Sequence, residues 1–69
     1  MRLANGLRRE AKKALAGRDW IYHMAAGRWN ALQDMMLRLG WLFPLGFGDP
    51  ESDCLALLLL AEIAEDEGL

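Results

Sequence analysis

A chain of 69 residues with a formal net charge of −2 is long enough for one small domain, 1–69, and too short for a second. Its single cysteine excludes an intramolecular disulfide and a multi-cysteine metal site. Hydrophobic residues make up 54% of the chain, which is more than so small an interior can cover. We therefore expect a homodimer that buries the excess at an interface.

The composition predicts the fold class. Alanine and leucine together supply 24 residues, whereas valine and threonine are absent and isoleucine occurs only twice. Strong helix formers with so few β-branched residues indicate an all-α protein. We expect a compact three-helix bundle in which the third helix, about 50–67, is central and takes part in dimerisation.

The sequence offers few groups for chemistry. Cys54 is the only cysteine and His23 the only histidine, too few for a zinc site or for most recognised catalytic mechanisms. We therefore predict no enzyme activity, no metal and no cofactor. The N-terminal stretch lacks the apolar region of a secretory signal, and the apolar run 54–61 is far shorter than the roughly 20 residues of a membrane span, so we predict a cytoplasmic protein without a transmembrane segment.

Residues 3–16 predict the first helix. Small apolar residues recur at helical spacing and form a thin stripe, consisting of Leu3, Leu7, Ala11, Ala14 and Leu15. Basic residues cover much of the remaining surface, and Gly17 is a suitable end.

The second helix is predicted over 20–39, with Asp19 as its N-terminal cap and Gly40 as its end. Its apolar residues occupy more than one face. The connection 40–48 that follows contains Trp41, Phe43 and Phe47, and two interpretations of it stay open. It is either a hydrophobic lid over the end of the bundle or an exposed aromatic patch that binds a partner.

The third helix has the clearest signals. Asp49 is a typical N-cap and Pro50 suits the first helical position. Every residue from 54 to 61 is apolar, which is typical of a helix covered on all sides. We assign Leu55, Leu58, Leu59 and Ile63 to the core or to the dimer contact, and Gly68 to the end of the helix.

Charge is distributed unevenly along the chain. The first 38 residues hold all eight basic side chains and three acidic ones, and the remainder holds seven acidic side chains. If the three helices run up, down and up, the first and third are parallel. Lys12 and Lys13 then lie beside the acidic last turn of the third helix, so part of the asymmetry is internal.

Taken together, these patterns favour a small non-enzymatic protein-interaction module, such as a regulator or a phage-encoded inhibitor, that binds a partner protein and inhibits or adapts it. The predicted partner surface combines three aromatic with three basic residues: Trp41, Phe43, Phe47, Arg8, Arg9 and Lys12. The alternative is a small nucleic-acid-binding transcriptional regulator that uses the basic first helix. Against it, the second helix of a helix-turn-helix is normally the reader, and here that helix is largely apolar.

Overall fold

The computed structural model describes residues 2–41, 45 and 49–69. Within these ranges the chain is all-α and has no strand, which confirms the predicted fold class. Three α-helices are present, α1 (Arg2–Ala16), α2 (Ala26–Leu39) and α3 (Pro50–Asp66), and a short 3-10 helix (Arg18–His23) follows α1. The main packing contact is between α1 and α3. No helix in the described part of the chain is long and apolar enough to cross a membrane.

The predicted second helix is wrong over its first part. Residues 18–23 form the separate 3-10 helix, and Met24 and Ala25 have extended backbone angles before α2 begins. Trp20 and Met24 are both buried in the core, and the Trp20 indole Nε1 donates a hydrogen bond to Asp53 of α3 at 3.3 Å. The break therefore coincides with tertiary contacts that outweigh the helix propensity of this stretch.

The predicted end of α2 is confirmed, and its geometry is a Schellman motif. Gly40 adopts φ 65° and ψ 36°, a left-handed conformation that a residue with a Cβ atom enters at a cost. The Gly40 N–H donates to the Leu37 carbonyl at 3.2 Å, and the Trp41 N–H donates to the Met36 carbonyl at 2.9 Å.

The predicted start of α3 is also confirmed. The Asp49 carboxylate accepts a hydrogen bond from the Ser52 backbone N–H at 2.8 Å, and Pro50 is the first residue of the helix. The cap satisfies one of the N–H groups that a helix start leaves without an intrahelical partner.

The α1 and α3 helices are antiparallel, so the predicted parallel arrangement is wrong. The Ala4 N–H, in the first turn of α1, donates to the Leu69 carbonyl at 3.3 Å, just beyond the end of α3. Arg8, one turn after Ala4 on α1, forms an ion pair with Glu65, which lies one turn before Leu69 at the end of α3. The prediction assumed one straight helix between them, whereas the 3-10 helix and the break after it add a change of direction.

The antiparallel arrangement changes the predicted charge pairing. Arg8, near the start of α1, is the residue that meets the acidic end of α3. Lys13 instead lies 3.4 Å from Glu10 within its own helix. The surplus of acids on α3 is therefore only partly balanced by α1.

The core combines alanines of α1 and α3 with larger apolar side chains from all three α-helices. Its buried apolar members are Ala4, Leu7, Ala11, Ala14, Trp20, Met24, Leu32, Met35, Leu45, Leu57, Leu60, Ala61 and Ala64. The predicted stripe of α1 is confirmed at Leu7, Ala11 and Ala14, but Leu15 is 56% exposed. Alanine on both helices lets their backbones approach closely, because helix separation depends on the side chains at the contact.

A buried carboxylate forms part of this interior. Glu10 of α1 is fully buried, and its Oε1 accepts a hydrogen bond from Arg28 Nη1 of α2 at 2.9 Å. A Cβ atom at Gly6 would lie 2.3 Å from Arg28 Nε, so the glycine leaves room for the arginine to cross α1. Taking a carboxylate out of water is costly unless it is paired, and Arg28 is its closest ionic partner.

We predict that Arg28→Met lowers the free energy of unfolding by on the order of 3 kcal/mol, because it leaves the Glu10 carboxylate buried without its main partner. The double variant Glu10→Met/Arg28→Met should recover most of that loss, since two apolar side chains can replace a buried ion pair. Urea denaturation followed by circular dichroism measures both. Equal stabilities of the single and double variants would contradict this account.

A second prediction compares two glycines of α2 with opposite expected signs. Gly40→Ala should destabilise the protein by about 1–2 kcal/mol, because alanine resists the left-handed conformation. Gly27→Ala should be neutral or stabilising by up to about 1 kcal/mol, because it lies in the first turn and a Cβ atom there meets nothing within 4 Å. Thermal unfolding of the two variants under identical conditions tests the difference in sign.

Candidate functional site

Three leucines form an exposed apolar surface on α3, which we call the leucine face. Leu55, Leu58 and Leu59 are 67%, 41% and 48% exposed. With a turn of 100° per residue they share one side of the helix, opposite the buried side that carries Leu57, Leu60 and Ala61. An apolar surface concentrated on one helix is typical of an interaction site rather than of scattered surface residues.

The leucine face is bordered by acidic side chains at both ends. Glu51 lies one turn before Leu55, and Glu62 and Asp66 continue the same side of α3 after Leu59. All three acids are exposed, and none of them forms an ion pair with any basic side chain that the structure describes. The surface is therefore an apolar centre with negative charge on either side.

A shallow groove adjoins this surface. Arg8 of α1 lines it together with Leu58, Leu59 and Glu62, and its volume is about 350 Å³. Arg8 also forms a hydrogen bond and ion pair with Glu65, which holds its side chain across the gap between α1 and α3. The groove offers space beside two leucines for an apolar side chain from a partner.

The aromatic residues predicted for a partner surface are only partly described. Trp41 is half-buried and packs against the core cluster, and it lines a groove of about 560 Å³ at the end of α2 with Met36 and Leu37. Phe43 and Phe47 lie outside the described residues. The choice between a lid and an exposed patch therefore stays open for them.

The basic residues predicted for the rim of that surface are separated in the fold. Arg8 lies beside the leucine face, whereas Arg9 lines a different groove, between α1 and α2. Lys12 is exposed on α1. No single surface brings together all of the predicted aromatic and basic residues that the structure describes.

The residues predicted for the core or a dimer contact also separate. Ile63 is half-buried and packs against the core, but Leu55, Leu58 and Leu59 lie outside the core of the single chain. The α3 helix buries one side against α1 rather than being covered all round. A dimer contact through the three leucines remains a prediction.

The two candidate reactive residues lie in different environments. Cys54 is half-buried and packs against the core, and His23 is exposed at the end of the 3-10 helix. Among residues 2–41, 45 and 49–69, no group of three histidine, cysteine, aspartate or glutamate side chains is placed to hold a metal ion.

Sequence reasoning missed the two buried acids. Asp53 of α3 is 1% exposed and accepts the Trp20 hydrogen bond, yet it was counted only as one of the acids of the C-terminal half. Glu10 was counted only as a charge. A signal was available for Glu10, because it lies at helical spacing from Leu7 and Ala14 and therefore on the apolar stripe of α1.

Comparison with known proteins adds no relative to this geometry: no protein-family model, no curated protein and no solved structure matches the chain.

Proposed function

We propose that this chain is a small non-enzymatic interaction module that binds a partner protein through the leucine face and thereby inhibits or adapts it. The observation that supports the proposal is the exposure of Leu55, Leu58 and Leu59 on one side of α3. Each of these leucines keeps only part of its surface in water, and covering that part would contribute on the order of 1 kcal/mol per side chain. A cytoplasmic location is part of the same proposal.

The partner that fits this surface is an amphipathic helix with an apolar stripe and basic flanks. Apolar side chains at helical spacing on the partner would contact the leucines and enter the groove beside Arg8. Lysine or arginine at the ends of that stripe would meet Glu51, Glu62 and Asp66, which have no described ion pair. Complementary charge of this kind speeds association and selects the partner more than it adds affinity.

A second copy of this chain is the competing occupant, and the charge pattern disfavours it. A two-fold contact centred on Leu58 with antiparallel helices would bring Glu51 of one copy near Asp66 of the other. A parallel contact would place the two Glu62 side chains side by side. Like charges facing each other in an interface are unfavourable, so a basic partner is the better match.

We predict that a synthetic helix with leucines at positions i, i+3, i+4 and i+7 and lysine flanks binds the full chain. A peptide with the same leucines and glutamate flanks should bind at least about tenfold more weakly, because its charges repel the acids bordering the leucine face. Fluorescence anisotropy of the labelled peptides measures both affinities. Affinity for the lysine peptide should also fall as salt is added.

Variants of the chain locate the binding surface. Leu58→Gln should weaken the lysine peptide by about tenfold, because glutamine keeps the helix but loses the apolar contact. Leu37→Gln is the matched control, since Leu37 is 80% exposed on α2 and away from the leucine face. Equal effects of the two substitutions, or equal binding of both peptides, would refute the proposed site.

Light scattering across a dilution series decides between the occupants. A monomer that binds the lysine peptide supports the proposal. A stable dimer that Leu58→Gln dissociates would show that a second copy covers the leucine face, and the proposed partner would then be wrong.

A further inference from the structure

Three arginines line a groove between α1 and α2, which we call the arginine groove. Its volume is about 600 Å³, and it is lined by Arg2, Leu3, Asn5, Arg9, Ala25, Gly27, Arg28 and Ala31. The lining residues from α2 other than Arg28 are small, so they leave the space between the helices open. The polar groups of the groove come from the three arginines and Asn5, and they stand among apolar or small residues.

The side chain of Arg28 is held in this groove by a contact with the protein interior. One of its N–H groups is bound to the fully buried Glu10, and Gly6 gives the side chain room to pass. A guanidinium has five N–H donors, so the bond to Glu10 orients the group and leaves other donors for the groove. The buried pair therefore presents an arginine that is already in place, which lowers the entropy lost on binding a ligand.

Positive charge in the arginine groove exceeds the local negative charge. Arg2 and Arg9 are exposed and form no ion pair with any carboxylate in the described ranges. The first turn of α1 contains Arg2 and no acidic residue. The start of α2 has Ala25 as its N-cap, which provides no side-chain hydrogen bond. Helix N-termini carry partial positive charge, so both helix starts add to the charge of the arginines.

We propose that the arginine groove binds a ligand carrying linked phosphate groups. Arginine presents its donors in a fork that matches phosphate oxygens, and Arg2 and Arg9 supply two such forks along the groove. Arg28, whose Nη1 is bonded to Glu10, adds its remaining N–H donors. Arg2 and Arg9 are about two helical turns apart on α1, roughly 10 Å at 1.5 Å per residue, so they can contact different phosphates of one ligand. Two sources share this chemistry: a free polyphosphate compound and the phosphodiester backbone of a nucleic acid.

The arginine groove is distinct from the leucine face in its residues and its helices, so its proposal stands or fails independently of the peptide-binding function. The leucine face lies on α3 with Arg8 beside it, whereas the groove is formed by α1 and α2. The variant Arg2→Gln/Arg9→Gln should leave peptide binding unchanged. In the same way, Leu58→Gln should leave phosphate binding unchanged.

Isothermal titration of the full chain with pyrophosphate at low salt tests the proposal. Affinity should fall at least about tenfold in Arg2→Gln/Arg9→Gln, because charge-assisted hydrogen bonds to phosphate are lost. The matched control is Lys12→Gln/Arg38→Gln, which removes the same charge from exposed positions outside the groove and should change the affinity by less than about twofold. Circular dichroism of both variants establishes that the fold is kept.

A short DNA duplex serves as the second probe. Duplex binding that weakens in Arg2→Gln/Arg9→Gln but not in the control, with a steep dependence on salt, assigns the phosphates to a nucleic-acid backbone. Pyrophosphate binding without duplex binding assigns them to a free ligand. No binding of either probe, or equal losses in the groove variant and the control, overturns the proposal.

Discussion

The contact between α1 and α3 is the main packing contact of the fold, and alanine forms much of the buried stripe on α1 and continues on α3 at Ala61 and Ala64. Small residues let the two backbones approach closely, but each covers little area. The α3 helix therefore buries one side and leaves its other side in water. Its four consecutive leucines, 57–60, divide accordingly, with Leu57 and Leu60 fully buried and the two between them exposed.

The antiparallel direction of this contact sets the distribution of charge. It brings Arg8 beside Glu65 and places the other arginines of α1 away from the acidic residues of α3. The buried Glu10 carboxylate forms an ion pair with Arg28. As a result the surface separates into an apolar region bordered by acids and a groove lined by arginines, which have opposite preferences for charged ligands.

Much of the fold could be predicted from local signals. The bounds of α3 and the left-handed end of α2 at Gly40 follow from residues that act on their own neighbours. The 3-10 helix and the helix directions could not be predicted in this way, because they depend on contacts such as that between Trp20 and Asp53, which are far apart in the sequence. The sequence singled out Leu55, Leu58 and Leu59 for the core or a dimer contact, but it could not show that they are exposed in the single chain. A run of apolar residues indicates how much surface needs cover, but not which helix covers which side.

Size explains why such a surface is present at all. A body of 69 residues buries only about 60% of the surface of its unfolded chain, less than a larger domain does, so a helix as apolar as α3 exceeds what one neighbouring helix can cover. The chain meets this excess with acids placed before and after the exposed leucines, at Glu51, Glu62 and Asp66. Under the proposed function, these charges would oppose the stacking of identical faces and leave the apolar centre accessible to a basic partner. In the proposed function, the acids that disfavour a second copy are therefore the same groups that select a basic partner.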